Sequence, residues 1–379
     1  MPHKPEVAVF YFPNYHADAR NEARYGRGWT EYDLVSAATP RWPGHRQPVE
    51  PAWGAFDEAD PAWMAKQIDL AADHGITTFL FDWYWYNDGP FLERALDEGF
   101  LAAPNRDRLK FALMWANHNW HDIFPAGPRS QGESELLYPG AVTPETWDLI
   151  CDVVIDRYFS QPNYLRVDGK PFFSFFEFER FLDGLGGVAG AAEGIRKFRE
   201  KAVQAGHPGV HLNAMAGNVG STVGSPSGGD TSAAIRQLQL DSVTDYCFVF
   251  HYGPGQGGFP QDSYEKAAAA NIAAWDHLPD RFGVPYYPNV SMGWDCTSRC
   301  SAAYPYESRG YPWTSALEGN TPEAFRQALK NQRDWALAHD ADLVTLNAWN
   351  EWTEGSYLLP DTVYGNAYLE AIKDVYGVE

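Results

Sequence analysis

Two glutamates three residues apart, Glu351 and Glu354, are the strongest chemical signal in the chain. They close the run from Leu343 to Ser356, which begins as an alternating strand. Val344, Leu346 and Ala348 fall on one side, and Thr345, Asn347, Trp349 and Glu351 on the other. As a stave of a closed barrel, this strand turns the second set to the axis, so Glu351 ends it pointing into the mouth. Glu354 is an odd step further and joins Glu351 only if the chain turns after Trp352, a turn that Gly355 accommodates. Two carboxyls offset in this way can act on one substrate from different angles. One serves as base and one as acid, provided their surroundings separate their pKa values. The plainer alternative is that one of them caps the final helix or pairs with an arginine.

Positioning such a pair requires a barrel, and the chain predicts one. Short β-branched or aromatic runs at 7–15, 76–85, 110–117, 171–178, 211–216, 243–251, 286–293 and 343–351 alternate with segments of helical periodicity at 60–74, 90–101, 144–160, 188–205, 231–238, 262–277, 321–339 and 364–376. Asp60-Pro61 and Thr321-Pro322 read as helix starts, and Gly75 and Gly206 as helix stops. Eight strand–helix pairs define the α/β class and a single-domain (β/α)8 TIM barrel over 1–379. No GxGxxG follows a strand, which argues against two doubly wound domains. The long non-periodic stretches 16–59, 118–142, 217–230 and 294–320 all follow odd-numbered strands, so the long loops gather at the C-terminal face where this architecture keeps its catalytic groups. Gly217–Gly229, rich in Gly and Ser, reads equally as a mobile flap or a passive surface loop.

Around that face the strand ends supply candidate substrate contacts. Tyr15 and His16 follow the first strand. Asp82, Trp83 and Tyr84 come from the second, with Asp82 and Tyr84 on one face. Asp82 could bind substrate hydroxyls, serve as a nucleophile, or be a buried structural acid. Asn117, His118 and Trp120 end the third strand, and Glu177 ends the fourth beside Glu179, one of the two being expected to meet Arg180 or a lysine. His251 and Tyr252 follow the sixth strand, Trp294 the seventh, and Asn350 and Trp352 flank Glu351. His16 and His45 raise the question of a metal, but HExxH is absent, so neither a metal nor a cofactor is expected.

The motifs also carry a family resemblance. Asn350-Glu351-Trp352-Thr353-Glu354-Gly355, Leu359-Pro360-Asp361 and Tyr364-Gly365-Asn366-Ala367-Tyr368-Leu369-Glu370 resemble the closing signature of the WbsX-like proteins, a group similar to glycoside hydrolase family 99. The same pattern runs through Tyr11-Phe12-Pro13-Asn14-Tyr15-His16, Gly28-Trp29-Thr30-Glu31, Pro43-Gly44-His45-Arg46-Gln47-Pro48, Met114-Trp115-Ala116-Asn117-His118-Asn119-Trp120 and Asn163-Tyr164-Leu165-Arg166-Val167-Asp168-Gly169-Lys170-Pro171. The resemblance implies a barrel related to endo-α-mannosidases that acts on α-linked sugars, with catalysis carried by the E-W-x-E pair. On this chain that pair is Glu351 and Glu354. Carried over, Glu351 assists attack of the sugar's own 2-hydroxyl on C1, forming a 1,2-anhydro sugar, and Glu354 is the general acid/base of a retaining hydrolysis. The alternatives are a glycosyltransferase of polysaccharide biosynthesis and a barrel that binds carbohydrate without cutting it.

Composition agrees with a sugar site. The chain holds 15 Trp, 21 Tyr and 22 Phe, more rings than its core needs, and rings beside carboxylates suit the C–H faces and hydroxyls of an oligosaccharide or polysaccharide. The net charge of −21 excludes nucleic acid and anionic membrane as partners. No run of 18 apolar residues occurs, and Met1-Pro2-His3-Lys4-Pro5-Glu6 leads directly into the first strand. A cytoplasmic location is therefore expected, with a trimmed secreted protein as the alternative. Cys151, Cys247, Cys296 and Cys300 are expected to be free thiols, although the last two are spaced to bridge.

Overall fold

The computed structural model describes residues 4–218, 226 and 231–377. Eight parallel staves form the barrel: β1 Glu6–Tyr11, β2 Thr78–Tyr86, β3 Lys110–Trp115, β4 Lys170–Phe175, β5 His211–Met215, β6 Ser242–Thr244, β7 in two pieces, Tyr286–Tyr287 and Asn289–Ser291, and β8 Leu343–Asn347. They pair in chain order, and β8 returns to β1 through Glu6↔Leu343 to Val9↔Leu346, which closes the (β/α)8 barrel. The halves of β7 divide their partners. Tyr286–Tyr287 pairs with β6, and Asn289–Ser291 with β8. Pro288 separates them because it has no N–H to give to a ladder.

Each stave is followed by helix on the outside. Pro61–Asp73, Val188–Gln204, Tyr264–Ala274, Pro322–Ala338 and Ala367–Tyr376 follow the expected boundaries closely, and the helix Pro144–Val153 widens into a π turn over Val154–Phe159. The expected caps are present. Asp60 accepts from Ala62 N at 2.8 Å and Thr321 from Ala324 N at 3.2 Å. Gly75 and Gly206 take the left-handed φ values of +88° and +93° that end a helix. Gln332, fully buried on the helix Pro322–Ala338, mends the β7 interruption: its amide donates to Pro288 O and Thr345 O at 2.8 and 2.9 Å and accepts from Tyr376 Oη.

Most staves end earlier than expected, β1 at Tyr11 and not at 15, and two of the differences bear on the site. β6 stops at Thr244, not at 251, because buried Asp245 turns aside to accept from Gly217 N, His251 and Tyr286 Oη, and Phe248–Phe250 forms a 3-10 turn. β8 stops at Asn347, and the alternation breaks there. Trp349, expected on the axis, lies in the helix layer, with its indole N–H on Gln67 at 2.8 Å and its ring on Phe79. The four cysteines are buried free thiols. Among the described residues, no helix is long and apolar enough to cross a membrane.

Gln332→Ala removes three buried hydrogen bonds and opens a cavity. We expect a loss of about 2–4 kcal/mol in unfolding free energy, read from the urea midpoint.

Candidate active site

Glu351 lies in a two-residue strand, Asn350–Glu351, paired antiparallel with Ser356–Tyr357, and Glu354 closes the 3-10 turn Trp352–Glu354 between them. Gly355 makes the return at φ +63°, and a Cβ there would stand 2.7 Å from Asp295 N, so the position tolerates only glycine. The odd spacing of the pair is thereby resolved, and both carboxyls reach one guanidinium. Arg299, from the turn Thr297–Arg299 in the loop after β7, donates through Nη1 to Glu354 Oε1, and its Nη2 lies 3.5 Å from Glu351 Oε1. The same side chain donates through Nε to Glu31 Oε1 at 3.0 Å and to Thr353 Oγ1 at 2.9 Å.

Hydroxyls complete the cluster. Tyr311 donates to Glu354 Oε1 at 2.6 Å. Tyr246 Oη lies 2.8 Å from Glu351 Oε2 and 2.9 Å from Asp82 Oδ2. Glu31 also accepts from Asn14 at 2.6 Å and from Thr353. All of these carboxyls are buried, and Glu351 and Glu354 are only 4% and 5% exposed. A hollow of about 490 Å³, lined by Pro128, Arg129, Glu133 and Arg309, opens on the surface, and none of the cluster residues lines it.

Burial governs the titration. It pushes Glu351 well above the usual carboxylate range, the charge of Glu354 adds to the effect, and Arg299 opposes it. Asp82 is raised for the same first reason, with Tyr246 opposing. Glu31 is raised by burial in spite of Arg299. Arg299 stays charged because the surrounding phenol and carboxylates outweigh its own desolvation.

The remaining candidates divide between the shell of this site and the scaffold. Tyr15 accepts from Trp352 N at 3.1 Å. Tyr84 and Trp120 meet edge to face at 5.3 Å, and His118 lies against Tyr84, Trp120 and Phe176. Burial lowers His118 to about 4, so it is neutral. Trp294 packs on Tyr311 and donates to Thr314. Trp352 stacks on Tyr357 at 4.1 Å.

Several expected contacts are turned to other work. Trp83 faces outward: on β2 it alternates with Asp82 and Tyr84, and its ring lies against Trp85 and Tyr158. The Asn350 amide is occupied by both backbone groups of Phe12, at 2.8 and 2.7 Å. Asn117 likewise clamps Glu177 N and O. His16 pairs with buried Glu58, His251 with Asp245, and Tyr252 with Asp262. Glu177 meets Arg180 at 3.1 Å, as one of the two glutamates was expected to, and burial raises it to about 7. The Gly217–Gly229 segment lies almost wholly outside the described residues.

Sequence reasoning missed Arg299, Tyr246 and Tyr311, and it quoted Glu31 only within a motif. No spacing marks them, because each stands in a loop whose path only the closed barrel determines. Among the described residues, no group of three or more His, Cys, Asp or Glu is arranged to hold a metal.

A family profile described as Glycosyltransferase WbsX matches residues 7–372. The chain belongs to that family. Two curated relatives, both the uncharacterized protein WxcX of Xanthomonas campestris pv. campestris, from strains B100 and ATCC 33913, are each 27% identical over 97% of the chain. The match spans 49% of each relative, so the chain covers about half their length. Among solved structures, a glycoside hydrolase-like protein superposes with a TM-score of 0.61 at 16% identity, covering all of this WbsX chain and 95% of the other. The GH99 endo-α-mannosidase from Bacteroides thetaiotaomicron superposes at 0.55 with 15% identity, covering 97% and 96%. At these identities the likeness establishes the barrel.

Removing the guanidinium leaves buried carboxylates without a counter-ion. Arg299→Met is therefore expected to lower stability by about 3–5 kcal/mol at pH 8, and by less at pH 5, where the carboxyls take up protons. Urea unfolding at the two pH values measures the difference. Glu177 gives a second pH signal. Its folded pKa of about 7 exceeds the ordinary value of 4.5, so the folded state binds the proton more tightly, and stability falls as pH rises from 4.5 through 7. Glu177→Gln should flatten that slope, raising stability at pH 8 by about 2–3 kcal/mol relative to the parent, read from the same unfolding curves.

Proposed function

We propose that the protein is a retaining glycoside hydrolase acting on an α-linked, mannoside-like glycan. One observation carries this reading: two carboxyls at the mouth end of β8 converge on a single guanidinium beneath a shell of rings. Glu351 is assigned to the substrate 2-hydroxyl and Glu354 to the leaving oxygen and then to water. The 2-oxygen attacks C1 as its proton passes to Glu351, and the leaving group departs with the proton of Glu354. Water then opens the anhydro ring, giving one proton to Glu354 while Glu351 returns its own to the 2-oxygen. Every proton is restored and no protein nucleophile forms a bond, unlike the usual two-carboxylate retaining enzyme.

One observation favours exchanged roles. Arg299 and Tyr311 both bond Glu354 Oε1, while burial favours the proton on Glu351. Under the first assignment, substrate must displace these donors before Glu354 can act as an acid. The family description supports the other reading, transfer rather than hydrolysis. Against a nucleotide donor stand the net charge of −21 and the lack of a Gly-rich phosphate loop.

Incubation with α-mannosyl oligosaccharides should release reducing sugar without any donor. Glu354→Gln should slow natural linkages by about 100-fold or more and spare aryl glycosides with good leaving groups, since those need no proton. If Glu351→Gln shows that pattern instead, the roles are exchanged. Sugar release or transfer only with an added sugar nucleotide would replace hydrolysis with transfer, and binding without turnover would leave a carbohydrate-binding barrel.

A further inference from the structure

Tyr246 carries one hydroxyl hydrogen and lies within bonding distance of two carboxyl oxygens, Asp82 Oδ2 at 2.9 Å and Glu351 Oε2 at 2.8 Å. It can donate to only one of them. The other contact is a hydrogen bond only if that carboxyl holds a proton and donates it to the phenol oxygen. All three groups are buried, so an unprotonated acceptor pair at this spacing would leave two carboxylates repelling across one O–H in a medium that screens poorly. The surroundings choose which carboxyl holds the proton. Arg299 Nη2, 3.5 Å from Glu351 Oε1, favours the ionised form of Glu351. Asp82 feels burial and the charge of Glu354, and its Oδ1 is buried without a partner, an expensive condition for a charged oxygen.

We propose that Asp82 is a positioning residue that holds a proton on behalf of Glu351 and exchanges it through the Tyr246 hydroxyl. At rest the chain runs from the Asp82 O–H to Tyr246 Oη, and from the Tyr246 O–H to ionised Glu351. In the shifted form, the Asp82 O–H bond breaks as that proton bonds to the phenol oxygen, and the original phenol proton moves to Glu351. One O–H is lost and one gained at Tyr246, and the trio keeps its total of protons. The role in turnover rests on the reading of Glu351 as the group that assists the 2-hydroxyl. A base must be ionised, and burial alone would keep Glu351 protonated; the chain gives that proton another place to sit.

The charged and titratable groups facing the trio come from five sides. Tyr84 shares β2 with Asp82, Tyr15 follows β1, Cys247 is next to Tyr246, Arg299 comes from the loop after β7, and Glu354 follows β8. Arg299 is the one cation in this set, and it acts on Glu351 rather than Asp82.

The ligand-free protein tests the shared proton directly. Infrared difference spectra at pH 7 between the parent and Asp82→Asn should show the loss of one protonated-carboxyl C=O band. In Tyr246→Phe that band should persist at higher frequency, because the proton has lost its acceptor. Absence of a protonated-carboxyl band in the parent, or its survival in Asp82→Asn, overturns the proposal whether or not the protein cleaves any glycan. If Asp82→Asn does not fold, an unchanged band in Tyr246→Phe overturns it equally. With a cleaved substrate in hand, Asp82→Asn, which can still donate to Tyr246 but cannot exchange a proton with it, should lower kcat, though by less than Asp82→Ala, which loses about tenfold, the worth of one hydrogen bond. Tyr246→Phe should move the acid limb of the rate profile up by about one pH unit, since Glu351 loses a donor to its ionised form. A limb that stays in place while activity falls would reduce Asp82 and Tyr246 to structural groups.

Discussion

Arg299 is a single buried cation set among the carboxyls of Glu31, Glu351 and Glu354, with Asp82 one hydroxyl further on. One positive charge cannot neutralise four ionised carboxylates where water is nearly excluded, and a buried uncompensated charge is costly enough to shift its pKa rather than persist. The cluster must therefore retain protons at neutral pH. Within it the two glutamates are held differently: Glu354 is hydrogen-bonded to the guanidinium and to Tyr311, while Glu351 lies 3.5 Å from the guanidinium and is hydrogen-bonded to Tyr246.

The scaffold explains how so strained a charge arrangement is held. Glu351 and Glu354 stand on a tight return braced at Gly355 against Asp295, and the strand entering it is fastened to β1 by the Asn350 amide on Phe12. Arg299 arrives from the loop after β7, Glu31 from the loop after β1 and Tyr246 from the break after β6. Each carrier is anchored by its own buried polar bonds, such as Asp245 on Tyr286 or Asp295 on His45. Groups from four loops and from β2 can meet within hydrogen-bonding distance because barrel closure places all C-terminal strand ends around one rim.

The aromatic surplus has two uses. Some rings form the wall around the carboxyls, with Tyr84, His118, Trp120 and Phe176 meeting edge to face or stacked. Others fill the space between staves and helices, where Trp83, Trp115, Trp147 and Trp349 pack. Composition alone cannot separate wall from filler, because a ring on an alternating strand changes its role with a one-residue change of phase.

That phase marks the boundary between what the sequence determined and what tertiary structure decided. Alternation and helical periodicity are local properties, so the eight staves, the helix caps and the barrel could be read from neighbouring residues. The turn that brings Glu354 beside Glu351 was legible in Gly355 for the same reason. Trp349 was misplaced where β8 stopped short, because strand length is set by pairing with other staves, whereas Trp83 already stood on the face opposite Asp82 and Tyr84 and belongs to the helix layer. Asn350 and Asn117 looked like ligand contacts, yet they serve the backbone of distant segments. Arg299, Tyr246 and Tyr311 carried no signal of their own, and Glu31 only that of a motif: a counter-ion or a bridging hydroxyl is defined by what stands opposite it, and only the closed barrel puts residues 31, 246, 299, 311 and 351 face to face.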